Sequence, residues 1–415
     1  MGRLRELLWA VRSSLWLIPG IALILAVAAG IALVSVDPGL ERDLAQRWPR
    51  LFGVGPEGAR GTLEAIAGSM ITVAGVVFSV TLVALSLAAS TYSPRILRTF
   101  MHDRGTQLAF GVFVGAFAYC LVVLRTVRAG EDGEDFVPSL AVLGALVLAL
   151  VAVCVLVYFI HHVVVSIQVS TILARVARET SRAIDSLFPE PLGKGEDDEE
   201  PQPPARLEWR SIPALRSGYI VAVDGERLID WAARRGSTVR MELAVGEFAV
   251  ESVPIASVAG GRPGDPEADA RALDACYSIA EQRTIEQDAG FGVQQIVDVA
   301  VRALSPGVND PTTARMCIHH LAALLVRLAR RRVPSRLRHA GGELRVIAKA
   351  PGFEALAALV FETLARYAEG KPEVLATLRE AARLVSSAAS PSRRAAVERQ
   401  LASMASGARS AMSPA

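Results

Sequence analysis

The sequence predicts a membrane α-helical protein with four transmembrane helices, followed by a cytoplasmic α+β region made of a small β-rich module and then a helical domain. Three observations predict this class. Four long runs without a charged residue lie in the first 175 residues, and none lies in the 240 residues that follow. Apolar residues make up 52% of the 415 residues and charged residues only 21%, against about a quarter in soluble domains. Beyond these runs, short alternating apolar segments precede segments with helical periodicity.

Each uncharged run is long enough to cross a bilayer, which requires about 20 apolar residues in a helix. The runs cover residues 13–36, 65–94, 105–124 and 136–174. The first exceeds the apolar stretch of a signal peptide and has no clear A-x-A cleavage site, so we expect a retained helix. The fourth is longer than the hydrocarbon requires. We therefore expect helix four to continue into the cytoplasm as a stalk, within a membrane domain of residues 1–175.

Arginine placement predicts the orientation of these helices. Arginines concentrate before helix one, between helices two and three, and after helix four, whereas the loop after Arg128 is acidic. We therefore expect both termini in the cytoplasm. The net charge of +2 argues against bulk electrostatic binding to nucleic acid.

The remaining chain predicts a linker and two folded segments. Residues 188–209 are acidic and rich in proline, as in a flexible linker. Alternating β-branched residues within 210–260 predict a small β-rich module, with a short helix in GERLIDWAARRG. Residues 265–405 predict a helical domain. Its expected helices cover about 269–286, about 292–304, a segment starting after Asp310, 352–368, about 371–386 and about 390–405.

The densest polar cluster spans 28 residues of the helical domain. Its members are Arg283, Asp288, Arg302, Asn309 and Asp310. One interpretation is an interhelical turn in which Asp310 caps the next helix. A second is a ligand or ion site, because a helix start and two arginines attract anions. A third is a contact between subunits.

Three long segments carry a resemblance to a known family. FSVTLVALSLAASTYSPR, FIHHVVVSIQVS and ALSPGVNDPTTA resemble a family of bacterial predicted membrane proteins, domain of unknown function 2254. The resemblance runs from the first helix to about residue 370. It implies a multi-pass protein of the bacterial cytoplasmic (inner) membrane, and it supplies no activity and no catalytic residues.

Helix two carries small and polar residues on one face. Thr72, Gly75, Ser79, Leu82 and Ser86 recur every three or four residues. Close helix packing is one interpretation, because small residues let helices approach each other in lipid. A pore lining is the other, because hydroxyls replace part of the hydration shell of an ion. The four runs hold no charged residue, which argues against an intramembrane carboxylate relay and is compatible with a passive pore.

Two further groups lie where helices are expected to leave the bilayer. Arg95 and Arg98 follow helix two, where they would either bind lipid phosphates or form the mouth of a pore in a ring of subunits. His161 and His162 end the apolar part of helix four. They would either anchor the helix at the interface or sense pH across subunits.

Several kinds of chemistry lack their sequence motifs. There is no Walker A loop, G-x-S-x-G or H-E-x-x-H motif, and the four cysteines form no C-x-x-C pair. The β-hairpin VGEFAVESVPIASV has none of the three lysines, so it cannot carry biotin or lipoate. We therefore expect no enzymatic activity, no cofactor and no metal.

These observations favour an oligomeric ion channel or pore with a cytoplasmic gating domain. The alternative is a membrane-anchored sensor or scaffold that binds a ligand or partner through the SPGVNDP region. An intramembrane enzyme is a third class, for which no span offers a catalytic set. The expected partners are the lipid bilayer, further copies of the chain and a small ion or anionic ligand.

Overall fold

The computed structural model describes residues 16–36, 55–91, 103–128, 136–188, 208–262, 264–349 and 352–410, with the backbone alone at 88–91 and 405–410. The chain divides into two compact units, Met1–Gln168 and Val169–Ala415.

The first unit contains four helices that are long and apolar enough to cross a membrane. They are α1 Leu17–Val34, α2 Pro56–Thr91, α3 Arg104–Leu124 and α4 Ser139–Ser166. The four predicted spans are therefore confirmed. Helix α2 begins nine residues before its uncharged run, at Pro56, because proline suits a first helical turn and the charged residues of that turn do not interrupt a helix.

Helix α3 lies at the centre of the first unit and packs against α1, α2 and α4. Half of its apolar span is buried, compared with 11–22% in the other three. Gly111 and Gly115, four residues apart, allow α1 to approach closely: a Cβ atom at Gly115 would lie 3.3 Å from the Ala22 carbonyl oxygen. The Tyr119 hydroxyl donates a hydrogen bond to the Ala141 carbonyl of α4 (2.8 Å).

Helix α4 ends at Ser166 and does not continue as the predicted stalk. Ile167 and Gln168 interrupt the helix, and α5 Val169–Leu187 follows as part of the second unit. The pattern changes at this point from apolar all round to strongly amphipathic. The apolar face of α5, which includes Ile172 and Leu173, is buried against α8 and α9 of its own unit, and this packing sets its direction.

The second unit contains two small sheets. Their strands are β1 Trp209–Pro213, β2 Gly218–Val223, β3 Ser237–Met241, β4 Phe248–Ala249, β5 Pro254–Gly260, β6 Tyr277–Ala280, β7 Leu337–Ala340 and β8 Glu343–Ile347. One sheet has the order β1-β5-β3-β8-β7, and the other has β4-β2-β6. Strands β3 and β8 are parallel, whereas the other pairs are antiparallel. Helices α6 Gly225–Arg235 and α7 Pro266–Asp274 accompany the sheets.

Three strands come from the segment predicted to be helical. The helix expected over about 269–286 ends at Asp274, and β6 follows because Tyr277 and Ile279 pair with β2. Strands β7 and β8 extend the sheet formed by the β-rich segment. The expected boundary between 210–260 and 265–405 is therefore crossed by strand pairing, which local periodicity does not reveal.

The remaining helices agree with the sequence to within a few residues. They are α8 Ala289–Leu304, α9 Pro311–Ala329, α10 Phe353–Tyr367, α11 Pro372–Ala388 and α12 Pro391–Ser410. Helix α9 contacts α5, α8, α10 and α11. Its inner face is buried, including Ile318, Leu321 and Leu325.

Candidate functional site

The predicted polar cluster is divided between the two ends of α8. Arg283 and Asp288 lie where α8 begins, whereas Arg302, Asn309 and Asp310 lie where it ends and α9 begins. A helix of 16 residues is about 24 Å long, so the five residues do not form one site.

Asp288 caps α8 and holds Arg283. Its Oδ1 atom accepts a hydrogen bond from the Phe291 backbone N–H (2.9 Å), and its Oδ2 atom accepts from Nε (2.9 Å) and Nη2 (2.7 Å) of Arg283. The side chain is 3% exposed. Burial raises the pKa of the Asp288 carboxyl, while the charge and hydrogen bonds of Arg283 act in the opposite direction. The anion-attracting start of α8 is thus occupied by a carboxylate of the chain itself.

A cleft of about 310 Å³ adjoins the Arg283–Asp288 pair. The connections that follow β3, β6 and β8 line it, together with the first turns of α8 and α10. The residues that line the cleft include Gly246, Glu247, Arg283, Lys349, Leu356 and Leu359. The sequence identified only the Arg283 side of this cleft. Lys349 and Glu247 are about a hundred residues apart, and only the parallel pairing of β3 with β8 brings their connections together.

Gly246 lies directly against the Arg283–Asp288 pair. Its φ is +90°, a conformation that favours glycine. A Cβ atom at this position would contact Asp288 Oδ2 and lie 2.7 Å from Arg283 Nη2. Backbone conformation and available space therefore both require glycine here.

The SPGVNDP loop has the geometry of a capped interhelical turn. Asn309 adopts a φ of +46°, and Asp310 accepts hydrogen bonds from the Thr313 N–H (3.0 Å) and hydroxyl (2.6 Å). The hydrogen bonds from Thr313 lower the pKa of the Asp310 carboxyl. Lys371 Nζ donates to the Leu304 carbonyl at the end of α8 (2.5 Å). Arg302 and Asn309 are exposed.

The predicted pore-lining residues all lie on the exposed side of α2. Thr72, Gly75, Ser79 and Ser86 are exposed, whereas the opposite side of α2 is buried against other helices of the first unit. A Cβ atom at Gly61, Gly68 or Gly75 would have nothing within 4 Å. The Thr72 hydroxyl donates to the Gly68 carbonyl (2.8 Å). Ser79 and Ser86 make no such bond within the part of the chain that the structure describes.

The residues expected near the bilayer surface are only partly described. Arg95 and Arg98 lie outside the described residues. His162 Nε2 lies 2.6 Å from Asp103 Oδ2 at the start of α3, and its ring stacks on Tyr158 with centroids 5.4 Å apart. Burial raises the pKa of Asp103, but the hydrogen bonds from Thr106 and His162 outweigh it and the pKa is lowered. His161 is exposed.

Among the described residues, no group of three or more His, Cys, Asp or Glu side chains could hold a metal ion.

Four apolar helices followed by a mixed α and β region define a multi-pass membrane protein. Residues 12–383 match the family described as "Predicted membrane protein (DUF2254)", and the chain belongs to this family. It is similar to the "Uncharacterized protein Rv1290c" of Mycobacterium tuberculosis (strain H37Rv) and to the "Uncharacterized protein Mb1321c" of Mycobacterium bovis. Each is 35% identical over 413 residues, which cover 97% of this chain and 77% of the relative. No solved structure matches the chain.

Proposed function

We propose that the protein associates with identical copies through the exposed face of α2 and forms an ion-conducting pore, with the second unit as a cytoplasmic gating domain. The observation that supports this most is the pair of hydroxyls at Ser79 and Ser86. They lie seven residues apart on one exposed face, within a helix long enough to span the bilayer.

A hydroxyl without a hydrogen-bond partner is unfavourable in hydrocarbon. The Thr72 hydroxyl bonds to its own helix, whereas Ser79 and Ser86 make no hydrogen bond among the described residues. A neighbouring copy or water in a pore would supply the partner. On α2 the two serines lie on either side of the exposed Leu82, whereas the exposed face of α4 presents large apolar side chains such as Val147 and Leu150.

The composition of the α2 face also favours self-association. Gly61, Gly68 and Gly75 follow one another at intervals of seven residues, with open space above each. Small residues at such spacing let helix backbones approach closely in a membrane. Gly61 and Gly68 lie in the half of this face nearer Pro56, and Ser79 and Ser86 lie in the half nearer Thr91. The first half would therefore pack closely between copies, while the second would face a shared axis.

The proposal includes the location of the protein. We place it in the bacterial inner membrane with both termini in the cytoplasm, because arginine is concentrated in the three segments expected on that side. Its partners would be the bilayer, further copies of the chain and the conducted ion. The function requires no catalytic step and no cofactor.

Ion flux into proteoliposomes tests the proposal. Wild-type protein should conduct, and Ser79→Trp should block the flux while the assembly stays intact. Phe78→Trp is the matched control, because Phe78 lies about 100° around the helix and is also exposed. If vesicles with wild-type protein show no ion flux under voltage, tension and a pH step, the proposed pore is refuted.

A second candidate function is ligand or partner binding by the second unit of a membrane-anchored sensor. One observation favours it: the cleft beside Arg283, which joins charged side chains to an apolar wall. This moves the expected binding region from the SPGVNDP loop to the opposite end of α8.

A further inference from the structure

We propose that the cleft beside Arg283 binds a small organic anion that also carries an apolar group. The proposal rests on the second candidate function and names the class of ligand for it. The cleft lies where β3 and β8 of one sheet and β6 of the other end, next to the first turns of α8 and α10. Its volume of about 310 Å³ is at the lower end of the range for small-molecule sites.

Arg283 offers the first anion-binding group. Its Nε and Nη2 atoms are held by Asp288, and its guanidinium carbon lies 4.9 Å from the centre of the Phe291 ring. The plane of the guanidinium is therefore fixed. Nη1 has no hydrogen-bond partner among the described residues, and the side chain is 25% exposed. A fixed guanidinium with a free edge suits an oxyanion.

Lys349 offers the second group. Its Nζ atom donates to the Glu242 carbonyl (2.9 Å) and lies 2.8 Å from Glu247 Oε2. An ammonium has three N–H groups, so one stays available. Glu247 Oε2 also accepts from the Ala244 backbone N–H (2.6 Å), which keeps the carboxylate beside its own turn.

The hydrogen-bonding balance of the lining favours an anion over a cation. The two cations and two carboxylates cancel in formal charge, yet both oxygens of Asp288 are already used. The charged groups left available are N–H donors of Arg283 and Lys349 against one oxygen of Glu247. A cationic ligand would meet these two positive groups with little to bind it.

Part of the cleft lining is apolar. It consists of Leu356 and Leu359 of α10, together with Val245 beside the glycine turn. A side chain at Gly246, which also lines the cleft, would collide with Asp288 and Arg283. A ligand with an anionic end and a compact apolar body would contact both the charged and the apolar part of the lining, with its body excluded from water.

Thermal unfolding of the full chain in detergent tests the proposal, with phenyl phosphate as the probe. We expect a saturable rise in Tm, and much weaker effects from inorganic phosphate or phenol alone, since each offers half of the contacts. Leu359→Trp should abolish the rise by filling the cleft. Leu384→Trp is its matched control, because Leu384 is an exposed helical leucine outside the cleft.

The contribution of the Lys349 charge to anion binding is tested separately. Lys349→Gln should weaken binding of phenyl phosphate by about tenfold, as expected for one charged hydrogen bond. Arg366→Gln, an exposed charge change on α10 away from the cleft lining, should leave binding unchanged. Equal weakening by both variants would overturn the assignment of Lys349, because it would reflect net charge alone.

Dihexanoyl phosphatidylglycerol distinguishes the two sources of such an anion. A larger stabilisation by this lipid, lost in Leu359→Trp, would assign the anion to a lipid head group. A larger stabilisation by phenyl phosphate would assign it to a soluble compound. Stabilisation that is retained in Leu359→Trp would refute the assignment of the ligand to the cleft. It would still be consistent with ligand binding elsewhere in the second unit. No stabilisation by either probe would overturn the proposal itself.

Discussion

Gly292 of α8 lies directly against Thr180 of α5: a Cβ atom at position 292 would overlap the Thr180 side chain. Thr180 is fully buried, and its hydroxyl donates to the Val176 carbonyl of its own helix (2.7 Å). Five residues further along α5, Asp185 pairs with Arg327 of α9 (2.5 Å) and with Arg331 just after the end of α9 (2.8 Å). Helix α5 is therefore held by close packing on one neighbour and by charge on another.

Gly292→Ala should destabilise the protein by about 1–3 kcal/mol, because the added methyl group must displace the Thr180 side chain or the helix. Thermal or urea unfolding of the full chain would measure the loss. Thr180→Ala in the same chain should restore part of it, since it removes the atoms in collision. Gly307→Ala, in open space on the SPGVNDP loop, should have little effect. A double variant no more stable than Gly292→Ala would show that the collision is not the cause.

Self-association through α2 can be tested by crosslinking. Ser79→Cys, in a Cys154→Ala background, should crosslink between copies in native membranes, because the proposed assembly brings position 79 of neighbouring copies together around one shared axis. Cys154 must be removed because it is the exposed cysteine among the four, and the other three are buried. Phe78→Cys should crosslink far less. Equal crosslinking at both positions would indicate random collision.

The Asp310 cap should contribute pH-dependent stability. Asp310→Ala should cost about 1 kcal/mol at neutral pH and leave ion flux per folded molecule unchanged. The folded-state pKa is lowered, so this stability is present above the unfolded pKa and is lost as the pH falls through the folded value. The gap between wild type and Asp310→Ala should thus shrink below about pH 4.

Asp310→Asn should keep most of the capping stability, because asparagine also caps helices, and it should not show this acid dependence. A gap between wild type and Asp310→Ala that is constant down to pH 2 would mean that the carboxylate charge is not what stabilises the turn.

The orientation is tested by labelling intact cells with a membrane-impermeant thiol reagent. A cysteine introduced at Asp132, in the acidic loop, should react from outside. A cysteine at Asp198, in the acidic and proline-rich linker, should react only after the cells are opened. The reverse pattern would invert the topology and the expected side of the second unit.

The spans were predictable because length and hydropathy are local properties: residues 105–124 alone indicate α3. The strands β6 and β8 were not, because their assignment depends on pairing with β2 and β3, far away in the chain. The spacing of Gly111 and Gly115 was a readable signal for close packing in α3. The break at Ile167 coincides with the change from an apolar to an amphipathic pattern, but the absence of charge up to residue 174 favoured one continuous helix.

In the candidate sites, too, the features set by local sequence were predictable and those set by long-range contacts were not. Asp310 as a helix cap follows from its position before Pro311, and the hydrogen bonds to Thr313 agree with it. Arg283 and Asp288 were found as polar residues in a cluster, but their distance from Asn309 depends on α8 lying between them. Lys349 lies in the cleft because β8 pairs with β3, and composition and residue spacing do not predict this pairing.

Positive charge in this chain is carried almost entirely by arginine: of 44 basic residues, only Lys194, Lys349 and Lys371 are lysines. Lys371 is engaged with the Leu304 carbonyl, and Lys194 lies outside the described residues. The cleft therefore contains one of three side-chain amines in the whole molecule. An acylating reagent modifies at most these three side chains, so peptide mass mapping would separate the modification of Lys349 in the cleft from that of the other two lysines.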